Sequence, residues 1–113
     1  MTDFDWATAP AICELDGYRW VLGPEADKEM GWDDATEWCK PVGGVLPPKN
    51  ILHHAFWNEY IKGQFSDGSY WSSSGCTDHF AWAQSFSDRC TKGLNKNIAQ
   101  SVRAVKAIKI GEE

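Results

Sequence analysis

The spacing of large side chains along the chain changes from helical to strand-like near residue 63. Between residues 31 and 62, apolar residues recur at the intervals of three and four that are typical of amphipathic helices. Beyond residue 70 the period becomes two, and large residues alternate with small ones from Phe80 to Phe86. An aromatic and β-branched run at 17–22 precedes the helices and ends in a Gly-Pro turn signal. The chain therefore combines one early strand, two helices and a β-rich second half.

The two helices have recognisable start and stop residues. The helix predicted at 31–40 carries Asp33 and Asp34 in its first turn, where the helix dipole favours anions. The helix predicted at 51–62 ends before Gly63, a residue suited to a C-terminal cap. The remaining predicted elements are strands and one turn, with strands at 17–22, 70–74, 80–86 and 101–110 and the turn at 93–97.

The length and net charge of the chain limit its number of domains and the classes of partner it can bind. Its 113 residues, 42% of them hydrophobic, predict a single folded domain over 1–113. The net charge of −5 has the wrong sign for binding nucleic-acid phosphates. No apolar run approaches the roughly 20 residues that span a bilayer, so membrane insertion is not expected. The acidic start of the chain lacks the pattern of a secretory signal, which predicts a cytoplasmic location in the producing cell.

Tryptophan is the most unusual component, with 7 copies in a chain that is 13% aromatic. Large rings dominate both protein cores and binding surfaces, so each copy has two possible roles. Core packing is the prediction for Trp32, Trp38, Trp71 and Trp82. Trp57 falls on the outer side of the second helix and is predicted to be an exposed contact residue.

Five sequence blocks occur in an order that resembles a known family. They are Trp32-Asp33-x-Ala35-x-x-Trp38-Cys39, Gly44-x-Leu46-Pro47-x-Lys49-x-x-Leu52, Tyr70-Trp71-Ser72-Ser73, Ala81-Trp82 with Phe86, and Val102-Arg103-Ala104-Val105. This arrangement resembles the bacterial and phage C-type-lectin-like domains typified by the C-terminal domain of the Legionella collagen-like adhesin. The resemblance spans roughly residues 17–108 and leaves the segment up to Asp16 outside.

The resemblance implies an α+β, C-type-lectin-like fold. Two short helices would flank a twisted antiparallel sheet whose N- and C-terminal strands pair, with a long loop region carrying the ligand contacts. Known members are best described as binding modules, so we expect a non-catalytic module, encoded by a phage or a bacterium, that recognises a protein or a glycan through residues 63–80. The candidate contact residues are Tyr70, His79 and Phe80, which lie in or beside a Gly- and Ser-rich stretch, and Trp57.

No metal site or cofactor is expected from the sequence. Calcium-dependent lectins use Glu-Pro-Asn or Gln-Pro-Asp and Trp-Asn-Asp triplets, and this chain has neither. The loop acids Asp67, Asp78 and Asp88 are interpreted as solvated surface, which leaves calcium binding open. Adjacent histidines, as at 53 and 54, point about 100° apart on a helix and cannot both ligate one ion.

The histidine, cysteine and serine residues between positions 72 and 90 are the candidates for zinc binding, catalysis or disulfide bonding. His79 with Cys76 and Cys90 lacks a fourth zinc ligand and any Cys-x-x-Cys spacing. The serines that would serve as nucleophiles belong to the Tyr70-Trp71-Ser72-Ser73 block, so no enzyme is predicted. Cys76 and Cys90 are either free thiols or, in an oxidised protein, the one pair expected to bond.

A second functional hypothesis belongs to another class. The small size, the acidic charge and the absence of an export signal are compatible with an intracellular, phage-type inhibitor or adaptor that binds a host protein. Association with virions is a further possible location. The sequence leaves the oligomeric state and the identity of the ligand open.

Overall fold

The computed structural model describes residues 4–88 and 90–111 and arranges them as two antiparallel sheets and three helices. A short 3-10 turn at Trp6–Thr8 precedes the first strand. In chain order the elements are β1 (Ala11–Leu15), β2 (Tyr18–Glu25), α1 (Trp32–Cys39), α2 (Lys49–Trp57), α3 (Glu59–Lys62), β3 (Ser69–Gly75), β4 (Phe80–Ser85), β5 (Thr91–Asn95) and β6 (Arg103–Lys109).

The first sheet joins the two ends of the chain in the order β1-β2-β6. β2 pairs with β6 in antiparallel register, with Trp20 opposite Ala107 and Leu22 opposite Val105. The expected pairing of early and late strands is therefore confirmed. β1 is a strand that the sequence pattern does not predict, and Ile12 within it is buried.

The second sheet has the order β3-β4-β5. The antiparallel strands are thus divided over two sheets instead of forming one. The turn predicted at 93–97 is wrong in its first half, because residues 91–95 form β5 and Gly93 lies opposite Trp82. Glycine is a poor strand former in isolation, and here the ladder with β4 decides the conformation.

The helix predicted at 51–62 is divided at Asn58, whose backbone is extended with φ −96° and ψ 107°. The Asn58 side chain accepts a hydrogen bond from the Ile61 amide at 3.2 Å and so caps α3. Its amide nitrogen also donates to the Ile12 carbonyl at 3.2 Å, which ties the break to β1. The helix predicted at 31–40 is confirmed as α1.

Two clusters of buried side chains form the core. One lies around α2 and the first sheet and includes Ile51, Leu52, Phe56 and Val105. The other lies between α1 and the second sheet, and Trp71 at its centre is fully buried. The core prediction is therefore confirmed for Trp71. Trp32, Trp38 and Trp82 are only partly buried, and Trp82 lies on the side of β4 opposite the buried Ala81 and Ala83.

Contacts of Trp6 hold the N-terminal segment against the first sheet and the loop after α1. Its indole nitrogen donates to the Val42 carbonyl at 3.0 Å, and its ring lies against Gly23 and Gly44. A Cβ at Gly44 would lie 2.7 Å from the Val105 carbonyl oxygen and 2.9 Å from the Trp6 ring, so only glycine fits there without displacement. None of the helices in the described part of the chain is long and apolar enough to cross a membrane.

Candidate functional site

One side of α2 is turned away from the core. Lys49, His53 and Trp57 recur every fourth residue and therefore form a stripe along the helix. The opposite side of α2 is buried and holds the helix against the sheets through Ile51, Leu52, Ala55 and Phe56. The amphipathic pattern of the sequence thus places these three polar and aromatic side chains at the surface.

β4 presents a second aromatic surface beside this stripe. Ala81 and Ala83 face the core, so Phe80 and Trp82 lie on the other side of the strand. Gly93 is the strand neighbour of Trp82 on β5 and has no side chain to cover its ring. The Trp82 ring is partly exposed, and the Lys49 ammonium lies 4.5 Å from its centre in a cation–π contact.

A groove of about 460 Å³ separates α2 from β4 and β5. Among the described residues, those that line it carry no carboxylate: they are Lys49, Asn50, His53, His54, Trp82 and Thr91. Trp57 extends the surface along α2, with its ring centre 6.2 Å from that of His53. We name the surface formed by Lys49, His53, Trp57, Phe80 and Trp82 the aromatic face.

Three of the four predicted contact residues are at the surface. Trp57 is 58% exposed and Phe80 is 41% exposed, both high values for large apolar side chains. His79 is also exposed and precedes Phe80 at the start of β4. Trp57 and Phe80 extend this surface in opposite directions, because Trp57 follows His53 and His54 on α2 whereas Phe80 precedes Trp82 on β4.

Tyr70 is fully buried, so the prediction that it contacts a ligand is wrong. Its ring packs in the core against Phe65 and Phe86. Its hydroxyl donates to Glu25 Oε1 at 2.9 Å and accepts from the Ser66 amide at 2.9 Å. Burial of the phenol raises its pKa. Tyr70 is a structural residue, because its ring packs in the core and its hydroxyl forms two hydrogen bonds.

Arg103 completes this polar cluster and is only 15% exposed. Its Nε donates to the Gly23 carbonyl at 2.8 Å, and one Nη donates to Glu25 at 3.3 Å and to the Gln64 carbonyl at 2.6 Å. Burial lowers the pKa of the guanidinium, and the adjacent Glu25 opposes that shift. No local pattern in the sequence predicts this pair, because Glu25 and Arg103 lie in different strands at distant points of the chain.

Part of the loop region expected to bind ligand packs on the core, around Phe65 and residues 70–72, while residues 75–80 are exposed. The Phe65 ring stacks on Phe86 with centres 4.2 Å apart and planes 3° apart. The backbone near Phe65 is further held by Tyr70 and Arg103 through residues 64 and 66. Within the expected range 63–80, the end at His79 and Phe80 joins the exposed surface.

The described residues contain no group of three or more His, Cys, Asp or Glu side chains arranged to hold a metal ion. Asp67, Asp78 and Asp88 are all exposed and lie in separate turns. His53 and His54 both line the groove, each from its own position on α2.

The four cysteines are free thiols. The Cys76 amide donates to the Phe80 carbonyl at 3.0 Å, whereas the Cys90 carbonyl accepts from the Ser85 amide at 2.8 Å. The two cysteines therefore lie at opposite ends of β4, about 17 Å apart at strand spacing. A disulfide needs Cα atoms within about 7 Å, so this arrangement excludes the bond. Burial raises the pKa of the Cys39 thiol to about 12.

Comparisons with known proteins bear on the fold. No protein-family model and no curated protein matches the sequence. The crystal structure of botrocetin, a snake venom C-type-lectin-like protein, matches with a TM-score of 0.51 and 13% identity, over 86% of this chain and 94% of that chain. A chain in a complex of botrocetin with a mutant von Willebrand factor A1 domain matches over the same shares with a TM-score of 0.48 and 14% identity. The botrocetin likeness confirms the expected fold and leaves the bacterial adhesin family a prediction.

Proposed function

Because the chain has a C-type-lectin-like fold, we propose that it is a non-catalytic binding module whose aromatic face engages a protein partner. The observation that carries the proposal is the exposure of Trp57 on α2 and of Phe80 on β4, the two elements that supply the Lys49, His53, His54 and Trp82 lining of the groove. Large exposed aromatic side chains are enriched among the residues that contribute most to protein binding. Exposed apolar area of this kind is otherwise unfavourable in water.

The chemistry around these rings favours a protein partner with carboxylate groups. Lys49, His53 and His54 line the groove in a chain whose overall charge is −5. A partner that places an apolar side chain on Trp82 and an acidic one beside Lys49 would satisfy both features. Botrocetin offers a parallel, since one solved complex pairs that protein with a von Willebrand factor A1 domain.

The test is affinity capture from a host lysate with mass spectrometry, using the tagged chain and two variants. The double variant Trp57→Ala with Phe80→Ala removes the two most exposed rings of the face. Tyr18→Ala is the matched control, because Tyr18 is 41% exposed, as Phe80 is, and lies on the first sheet. We expect one stoichiometric partner, bound at least about tenfold more weakly by the double variant and equally well by the control.

Two results would contradict this function. Equal capture by the wild-type chain and the double variant would place the binding surface elsewhere. A glycan array on the same preparation provides the second, since array binding with no captured protein would establish a glycan ligand.

The second candidate is an intracellular, phage-type inhibitor that covers a basic surface of a host protein. Asp33 and Asp34 favour it, because both are exposed at the start of α1 and add to an acidic chain. Under this alternative the variant Asp33→Lys with Asp34→Lys would lose the captured host protein, while the Trp57→Ala with Phe80→Ala variant would retain it. This second candidate includes a phage or bacterial origin and a cytoplasmic or virion-associated location. Recovery of the tagged protein from the cytoplasm or from virions tests the location.

A further inference from the structure

The outer edge of β5 has no strand neighbour among the described residues. β4 occupies one side of β5 in the second sheet. The corresponding outer edge of β3 is covered, because the Trp71 amide donates to the Ser101 carbonyl at 3.0 Å and the Ser73 amide donates to the Pro47 carbonyl at 2.8 Å. β5 is therefore the open side of this sheet, and open edges are the usual sites of strand addition.

The register of the sheet shows which backbone groups of β5 point outward. Hydrogen bonds join Cys90 to Ser85 and Lys96 to His79, and bonded pairs recur at every second residue of an antiparallel ladder. The backbone N–H and C=O groups of Lys92 and Leu94 thus point toward β4. The N–H and C=O groups of the alternate residues Thr91 and Gly93 and the N–H of Asn95 are directed away from the sheet, whereas the Asn95 carbonyl accepts from the Ile98 amide at 2.9 Å.

β5 lacks proline and a bulge, two of the features that normally block edge pairing. Its five residues pair with β4 in continuous register. Lys92 is the only charged residue of the strand, and its ammonium lies 3.6 Å from the Asp88 carboxylate. The edge is therefore flat and nearly neutral.

We propose that two copies of this chain associate through β5, antiparallel and centred on Gly93, to form a continuous six-stranded sheet. In this register Lys92 faces Leu94 of the second copy, and Thr91 faces Asn95 of the second copy. If the centre of the pairing moved by one residue, to Lys92 or to Leu94, Lys92 would lie opposite Lys92 or Lys96 of the other copy. Like charges in directly opposed positions destabilise strand pairs, so charge selects the register centred on Gly93.

The surroundings of Gly93 fit this centre. The two glycine N–H and C=O groups bond to each other across the two-fold axis, and no side chain stands between the copies. The nearest Trp82 ring atom lies 4.0 Å from the position a Cβ would take at Gly93, so pairing covers both partly exposed rings. This inference goes beyond the proposed function, and it places the two aromatic faces on the same side of the joined sheet.

Sedimentation equilibrium over a range of concentrations tests the association. Gly93→Pro removes the outward N–H, whereas Gly93→Ala keeps it and adds a Cβ at ordinary contact distance of 3.6 Å from Cys76 Sγ. Neither change touches the hydrogen bonds to β4, since the backbone of Gly93 points outward. We expect the wild-type chain and Gly93→Ala to dimerise and the dissociation constant of Gly93→Pro to rise at least about tenfold.

Cross-linking with a short bis-maleimide gives a second readout that does not depend on the proline variant folding. Cys76 lies beside Gly93, so its two copies come together at the axis, whereas the two copies of Cys90 lie about 20 Å apart. A cross-linked dimer is expected from the wild-type chain and from Cys90→Ser, and its loss is expected in Cys76→Ser.

A wild-type chain that is monomeric at every concentration overturns the proposal, as does a dimer that Gly93→Pro leaves intact or that cross-links through Cys90 alone. Capture of a host protein by the Gly93→Pro monomer separates this result from the binding function, because the variant retains every residue of the aromatic face.

Discussion

At the scale of single residues, burial separates structural from functional side chains that look alike in sequence. Tyr70 and Phe80 are both aromatic and lie at the starts of neighbouring strands, yet Tyr70 is fully buried and Phe80 is 41% exposed. The hydroxyl of Tyr70 has two partners, Glu25 and the Ser66 amide. A buried polar group with satisfied partners contributes to stability and to a single core arrangement.

Replacement of Tyr70 by phenylalanine tests this assignment. The change leaves the Ser66 amide and one interaction of Glu25 unsatisfied, so we expect the free energy of unfolding to fall by about 1–2 kcal/mol. Urea denaturation monitored by tryptophan fluorescence measures it. Tyr60→Phe, at a residue 67% exposed, is the control and should change stability by less than about 0.5 kcal/mol. Equal stability of the two variants would refute the structural role of the hydroxyl.

At the scale of elements, close backbone approach explains why the N-terminal segment packs where it does. Gly44 lies between the Trp6 ring and β6, within reach of the Val105 carbonyl. The Val45 and Val105 amides exchange hydrogen bonds of 2.9 Å, so the loop after α1 is fixed to the first sheet at this point. The glycine is needed because two elements and one ring meet there.

Substitution of Gly44 by alanine should therefore destabilise the chain. The added Cβ would lie 2.7 Å from a backbone oxygen, which cannot move away as a flexible side chain can. We expect a loss of about 1–3 kcal/mol in urea denaturation. Gly75→Ala is the matched control, because nothing lies within 4 Å of its Cβ position. Similar stability of the two variants would mean that the loop shifts without cost.

At the scale of the whole molecule, two buried neutral groups link folding to alkaline pH. Burial raises the pKa of Cys39 from 9.0 to about 12 and raises that of Tyr70 above its ordinary 10.0. The unfolded chain releases these protons at lower pH than the native chain, so the native state holds more protons in this window. Stability is therefore fully present below pH 9 and declines as the pH rises toward 12.

Urea denaturation between pH 8 and 11 measures this decline, since the ordinary pKa values of 9.0 and 10.0 fall within the range. The double variant Cys39→Ala with Tyr70→Phe should be less stable at neutral pH and should lose less stability on going to alkaline pH. A Cys76→Ser variant, which alters an exposed thiol, is the control and should follow the wild-type curve. Parallel curves for all three chains would show that other groups govern alkaline unfolding.

The sequence alone determined the elements whose pattern is local. Helical spacing predicted α1, alternation predicted β4, and the five ordered blocks led to the C-type-lectin-like fold, because these signals depend on neighbouring residues. Tertiary structure decided the rest. The ladder with β4 made a strand of the glycine-containing segment at 91–95, and Asn58 divided a continuous helical pattern by bonding to β1.

The candidate site also combines features that the sequence predicts with features that only the tertiary structure determines. The sequence predicts Trp57 and Phe80 as contact residues, but the groove that separates α2 from Trp82 on β4 depends on how α2 packs on the second sheet. The prediction for Tyr70 is wrong because Phe86 packs against its ring and Glu25 accepts from its hydroxyl, and both residues are distant from it in the chain. Local periodicity encodes which way a side chain points, and only long-range packing determines whether anything covers it.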